Sequence, residues 1–142
     1  LITVKPQAAG ECSEHYAPVL RPDDMVITKE ALQTILQNNP LPERERGKEG
    51  RPAGRPSHER ASCESQQAFA EALIVRTGWK HGDKPAFFTI EAMEYIVQQN
   101  VQHVLVDMPS IDRLDDEGKL TNHHIFWGIA QGSHTLAGGK PS

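Results

Sequence analysis

The sequence predicts an α/β domain built around a buried sheet. Short apolar segments alternate with segments of helical period, and the last apolar segment lies within residues 101–108, with the run VLV at its centre. Alternating strands and helices indicate an α/β domain, and a continuous apolar strand favours burial on both faces. With 142 residues, the chain has room for one domain with a modest core. We therefore expect a single α/β domain over residues 1–142.

The first half of the chain contains one predicted strand and one predicted helix. Residues 1–4 are apolar and largely β-branched, and Pro6 ends the strand. Thr28 is a suitable N-cap for a helix, and the helix carries one apolar face formed by Ala31, Leu32, Ile35 and Leu36. Because the chain begins inside a strand and residues 137–142 form no closing element, we expect a partial domain, incomplete at both ends.

Residues 40–65 form a predicted insertion without periodicity. Basic and acidic side chains alternate there, and no large apolar residue follows Leu41. Such a segment cannot bury enough surface to offset the entropy of ordering it. An RNA-binding tract is disfavoured because the acidic residues cancel the charge and no aromatic side chains are interspersed. We expect a disordered, solvated loop.

The second half of the chain predicts a strand, a helix and a second strand. Residues 72–75 are apolar, and Thr89 is the expected N-cap of the helix. The predicted apolar stripe of that helix consists of Ile90, Met93, Ile96 and Val97. Asn100 suits its end because asparagine tolerates the left-handed conformation. The strand over residues 101–108 follows at once.

Composition limits the classes of partner. The formal net charge is -4, and the positive charge is not clustered as a nucleic-acid surface requires. No apolar run approaches the roughly 20 residues that span a bilayer. Cys12 and Cys63 lack the spacing of a zinc site or a disulfide framework, so we expect reduced thiols in a cytoplasmic protein. An exposed strand edge at residues 1–4 would favour pairing between copies, so we expect a homo-oligomer.

The paired histidines His123 and His124 are the first candidate site. Adjacent residues of a helix point about 100° apart, so one of them can bind a metal while the other packs or caps. The alternative is a polar edge on an apolar helix in which residues 125–127 are buried. His134 is a weak further candidate. The chain contains no HxxxH, HExxH or CxxC motif that would complete a metal site.

Asp107, Ser110 and Asp112 form the second candidate cluster. Asp107 closes the last strand, where a carboxylate must be hydrogen-bonded or paired. It either belongs to a functional pocket or caps the loop by accepting hydrogen bonds from backbone N–H groups. Ser110 lacks the GxSxG context of a nucleophile.

Three segments resemble the cyclase family of metal-dependent hydrolases, which includes kynurenine formamidases. They are ALIVRTGW, FTIEAMEYIVQQNVQHVLVDMPSIDR and LTNHHIFWGI, and they lie in order over residues 72–130. In the family, a strand ending in Arg-Thr-Gly precedes a helix. A strand ending in Val-Asp-x-Pro-Ser-Ile-Asp follows, and then comes a histidine before an apolar helix. The agreement of several spaced motifs is more specific than any single motif.

The resemblance implies a partly open, barrel-like mixed sheet with flanking helices. It also implies a metal-dependent hydrolase that cleaves the C–N bond of a small amide or formamide, with Zn²⁺ or Mn²⁺ as the cofactor. His123 would be a metal ligand, and Asp107, Ser110 and Trp127 would contact the substrate.

The family's HGxHxD metal motif is missing from this sequence, and Thr135 stands near where a partner glutamate is expected. We therefore assign no catalytic residue and expect this chain alone to be inactive. The alternative is a non-catalytic binding or assembly module.

Overall fold

A computed structural model describes residues 1–39 and 72–130. The described part contains six short strands, three α-helices and one 3-10 turn. The strands are β1 Ile2–Thr3, β2 Gln7–Ala8, β3 Met25–Ile27, β4 Ala72–Arg76, β5 Phe87–Phe88 and β6 His103–Val106; the helices are α1 Lys29–Asn38, α2 Ile90–Gln98 and α3 Thr121–Trp127. The α/β class predicted from the sequence is confirmed.

The three strands predicted from the sequence form one parallel sheet. Its order is β1-β4-β6, with Ile2 opposite Val75 and Leu73 opposite Val104. Parallel strands bring their carboxyl ends to the same edge of a sheet. The turn that follows β4 therefore lies beside the residue that follows β6, and this places Asp107 next to Thr77.

A second sheet has the order β2-β3-β5, and the sequence did not predict it. β2 and β3 are antiparallel, whereas β3 and β5 are parallel. Each strand has two or three residues, which is too short for an alternating pattern to stand out. The described strands form two small sheets that do not close into a barrel, so the barrel-like sheet implied by the resemblance is not confirmed within these residues.

Both predicted helix starts are confirmed. The Thr28 hydroxyl accepts a hydrogen bond from the Ala31 N–H, and the Thr89 hydroxyl accepts one from the Ala92 N–H. Asn100 lies just beyond α2 with a φ of 55°, which confirms its predicted left-handed conformation. These caps satisfy backbone donors that a helix cannot satisfy internally.

The main core lies between one face of the parallel sheet and the helices. Leu73 and Val75 of β4 are buried there with Met93 and Ile96 of α2. The prediction of a sheet buried on both faces is wrong within the described residues, because Ile74 is 42% exposed and Leu105 is 50% exposed. All described helices that contact the core cluster do so from one side. Val97, predicted to be core, is 38% exposed.

The predicted insertion at residues 40–65, Cys63 and His134 lie outside the described residues. Cys12 lies within them as a free thiol. Among the described helices, none has the length and apolar character that crossing a membrane requires.

Candidate functional site

The site is centred on the start of α3, and an acidic turn sets the direction of this helix. The buried Asp116 carboxylate accepts hydrogen bonds from the N–H groups of Gly118 and Leu120 at 2.9 and 2.7 Å. Gly118 and Leu120 both have a positive φ, so the turn is tight and is held by side-chain contacts. Asp116 therefore fixes the start of α3 through these two hydrogen bonds.

Asp112 holds the candidate metal ligand His123. Its Oδ2 lies 2.6 Å from His123 Nδ1 and accepts the His123 backbone N–H at 3.2 Å. The Asp112 side chain is 1% exposed, and the His123 side chain is 28% exposed. A carboxylate only accepts hydrogen bonds, so the proton between the two side chains lies on Nδ1, and in the neutral imidazole the lone pair is on Nε2. A carboxylate behind an imidazole is the usual support of a metal-bound histidine.

The other oxygen of Asp112 is held from two directions. Oδ1 accepts the Asn122 backbone N–H at 2.7 Å and the Tyr16 hydroxyl at 2.8 Å. The Tyr16 oxygen in turn accepts the Arg113 backbone N–H at 3.0 Å. Burial, followed by the negative charge of Asp112, raises the pKa of Tyr16 well above its usual value of 10, although the Arg113 N–H opposes the shift. The hydroxyl therefore remains a donor to Asp112.

A cavity of about 450 Å³ lies beside His123. Its walls come from β6 and the residue before it, from the loop after β6 and from α3: Gln102, His103, Val104, Leu105, Ile111, His123, Phe126 and Trp127. The volume falls in the range of small-molecule sites, and the wall combines apolar groups with a few polar ones, as such sites usually do. His123 and Trp127 are thus the two predicted site residues that line one cavity.

Trp127 lies against His123, with 5.2 Å between the ring centroids and 54° between the ring planes. The two residues are four positions apart on α3, a spacing that places side chains on the same helix face. Trp127 is nevertheless 56% exposed, so the alternative in which it is buried as a core residue is wrong. Its exposed indole forms a wall of the cavity.

Asp107 and Ser110 make loop contacts. The Asp107 carboxylate accepts the Thr77 N–H, the Thr77 hydroxyl and the Gly78 N–H at 2.7–3.0 Å. Burial raises the pKa of Asp107, but the Thr77 and Gly78 donors outweigh it and hold the pKa below its usual value. The Ser110 hydroxyl accepts the Asp112 N–H at 3.0 Å. Neither residue lines the cavity beside His123, and their contact with substrate stays a prediction.

His123 fits the role of one metal ligand, because its Nδ1 is held and its Nε2 lone pair is left for an ion. Within residues 1–39 and 72–130, no group of three or more His, Cys, Asp and Glu side chains is close enough to hold a metal. A complete site needs three or four ligands. The described part of the chain therefore holds no complete metal site, and His123 is the candidate ligand that lines the cavity.

Sequence reasoning did not find the support behind His123. Asp112 was in the candidate cluster without a role, although its position eleven residues before His123, with an acidic turn between them, was a usable signal. Tyr16 gave no signal, because it lies in a segment rich in Pro, Gly and acidic residues. Only the fold brings its hydroxyl to Asp112.

The model of a protein family described as "Putative cyclase" matches residues 56–113. The matched segment includes β4, α2 and β6 and ends one residue after Asp112. The resemblance to the cyclase family is therefore confirmed over this part of the chain, which carries a cyclase-like segment; His123 and Trp127 lie beyond it. No curated protein and no solved structure matches the chain.

Proposed function

We propose that this chain is part of a metal-dependent hydrolase that cleaves the C–N bond of a small amide or formamide. In the proposal, His123 is one ligand of a divalent ion, with Zn²⁺ or Mn²⁺ as the candidates. The observation that carries it is the contact between the buried Asp112 carboxylate and His123 Nδ1, which leaves Nε2 free to bind. The cyclase-like segment that ends at Arg113 supports the same class of enzyme.

The bound ion would supply Lewis acidity and activate a water molecule. The residues of this chain would orient the ligand of the ion and form the walls of the cavity. Asp112 holds the imidazole in one orientation, and a ligand fixed in this way is commonly more basic and better aligned. Phe126, Trp127 and Leu105 offer apolar walls against which a planar acyl or aryl group can pack. Asp107 and Ser110 are proposed to shape the pocket through the loop that they hold.

We also propose that the remaining metal ligands lie outside the described residues, and that the two small sheets form part of the partly open barrel of the cyclase fold. In the same proposal the protein is cytoplasmic and assembles from several copies. The site would then be completed by parts of the protein other than β4, α2, β6 and α3.

The test is metal content and formamide hydrolysis in the full-length protein. His123→Ala is expected to lose most of its bound metal and its activity, because an aliphatic side chain cannot replace the Nε2 lone pair. The matched control is His103→Ala, which removes the other imidazole of the cavity wall and is expected to keep the metal. Full metal content and activity in His123→Ala would contradict the proposal.

A non-catalytic assembly module is the second candidate, and the open face of the parallel sheet favours it. Ile74 and Leu105 are about half-exposed on neighbouring strands, and contiguous exposed apolar surface often marks an interface. Sedimentation should then show wild-type oligomers that Leu105→Lys dissociates. Val97→Lys, on the similarly exposed surface of α2, is the control that should leave the oligomers intact.

A further inference from the structure

The support behind His123 extends to the N-terminal part of the chain. Tyr16 is buried in the smaller core cluster with Val26 of β3 and Phe87 of β5, and its ring centroid lies 4.7 Å from that of Phe87. Its hydroxyl donates a buried hydrogen bond to the Asp112 carboxylate, which also contacts the first turn of α3. The residues packed on the second sheet are therefore joined to the candidate site through the Tyr16 hydrogen bond.

Ala17, the residue after Tyr16, makes a second contact between the N-terminal part of the chain and α3. The Ala17 carbonyl accepts a hydrogen bond from the Thr121 hydroxyl at 2.6 Å, and Thr121 is the first residue of α3. Asn122 is fully buried and donates from its side chain to the carbonyls of Phe88 and Ile111. The first turn of α3 is thus fixed from several sides, and His123 is the next residue along it.

Four groups lie at hydrogen-bond distance from the Asp112 carboxylate. They are the Tyr16 hydroxyl, the backbone N–H groups of Asn122 and His123, and His123 Nδ1. Because the Tyr16 oxygen already accepts the Arg113 N–H, the Tyr16 proton is directed towards Asp112. The carboxylate then has no proton to offer His123, and Nδ1 has to be the donor.

We propose that Asp112 and Tyr16 are positioning residues that hold His123 in the tautomer with its proton on Nδ1, so that the Nε2 lone pair faces the cavity. This inference rests on the proposed function, in which that lone pair binds a metal. Neither residue touches the substrate or the metal. Their role is to select which nitrogen of His123 is available.

Asp112→Asn is the most informative variant because it keeps the shape and changes the pattern of donors. The new amide group faces the Asn122 N–H at 2.7 Å on one side and the His123 N–H at 3.2 Å on the other. Its NH₂ is expected on the His123 side, where the opposing backbone donor is farther away. That NH₂ then donates to Nδ1, and the proton of His123 moves to Nε2.

The experiment is ¹⁵N–¹H correlation spectroscopy of the imidazole rings in the full-length chain, with Zn²⁺ added afterwards as the probe. Wild-type His123 should carry its proton on Nδ1, and Asp112→Asn should carry it on Nε2, with the His103 signals as the internal control. Zn²⁺ affinity at His123 should fall by about 10–100-fold, the usual loss when a ligand's support is removed. An unchanged tautomer in Asp112→Asn would overturn the inference.

Tyr16→Phe is the second variant, and it tests the same inference if Asp112→Asn does not fold. It keeps the buried ring and removes one of the four hydrogen bonds to Asp112. The His123 Nδ1–H signal should broaden or shift, and Zn²⁺ affinity should fall by about threefold, since one hydrogen bond is worth about that much or slightly more. Identical signals and affinity in Tyr16→Phe and wild type would also overturn the inference.

The two proposals fail in different ways. If His123→Ala keeps its metal while Asp112→Asn still moves the proton to Nε2, the hydrolase proposal is wrong and the positioning role stands. If His123→Ala loses its metal while Asp112→Asn leaves the tautomer unchanged, the positioning role is wrong and the hydrolase proposal stands.

Discussion

Asp107 and Asp112 lie five residues apart in one loop, and their carboxylates do different things. Asp107 accepts hydrogen bonds from Thr77 and Gly78, which closes the end of the parallel sheet. Asp112 accepts from three neighbours and from the imidazole of His123. One carboxylate thus holds backbone in place, and the other holds a side chain that can still bind something with its second nitrogen.

The difference shows that the hydrogen-bond partners of a carboxylate say more about its role than the presence of the carboxylate does. Both aspartates follow apolar residues and both are hydrogen-bonded, although Asp112 is buried and Asp107 is only partly buried. When every partner is a backbone group or a neighbouring hydroxyl, the contacts account for the residue through stability alone. When one partner is an imidazole that lines a cavity, the same contacts can also select its tautomer, which is the basis of the positioning role proposed for Asp112.

The largest expected effect is that of Asp112→Ala on stability. The substitution leaves the Tyr16 hydroxyl and two buried backbone N–H groups without their acceptor, and each unsatisfied buried group costs about 1–3 kcal/mol. We expect a loss of about 3 kcal/mol or more in the free energy of unfolding, measured by urea denaturation. Asp112→Asn should lose clearly less, since it keeps one acceptor oxygen. A smaller loss in Asp112→Ala than in Asp107→Ala would contradict this account of the two residues.

Asp107→Ala should have an intermediate effect on stability and none on His123. Its partners are closer to solvent than those of Asp112, so water can replace part of what is lost, and we expect about 2 kcal/mol by the same measurement. Thr77→Val removes the hydroxyl, which donates to Asp107 and accepts the Trp79 N–H, and should cost about 1 kcal/mol. The ¹⁵N signals of the His123 ring should stay as in wild type in both variants. A changed tautomer in Asp107→Ala would mean that the two carboxylates act as one unit.

The sequence was most informative where a regular pattern extended over several residues. The helices α1 and α2 could be predicted because apolar spacing and an N-cap residue agree in each, and the strands β4 and β6 because each contains a short apolar run. The second sheet could not, because strands such as Gln7–Ala8 carry no measurable period. The open face of β4 and β6 was missed for a related reason. An apolar run predicts a strand well, but it does not say whether an element covers each face.

The candidate site also contains residues that the sequence could predict and residues that it could not. His123 and Trp127 could be proposed from a motif, and the fold places them four residues apart on one helix, beside one cavity. Tyr16 is 107 residues away from His123 in the sequence, and a contact over such a separation has no local pattern. Asp112 was visible as a residue, but its role depends on the side chains that surround it in the folded state.

The smallest expected effect is the pH dependence contributed by Asp107. Its donors lower the pKa in the folded state below the ordinary value of 3.8, so the folded state binds fewer protons than the unfolded state near that pH. The contribution of Asp107 to stability is therefore complete above about pH 4 and is lost as the pH falls through the lowered folded-state value. Urea denaturation at a series of pH values should show a steeper acid loss for wild type than for Asp107→Asn, because the amide does not titrate. Parallel curves for the two proteins would mean that Thr77 and Gly78 hold the neutral group as strongly as the charged one, and the contrast with Asp112 would then rest on geometry alone.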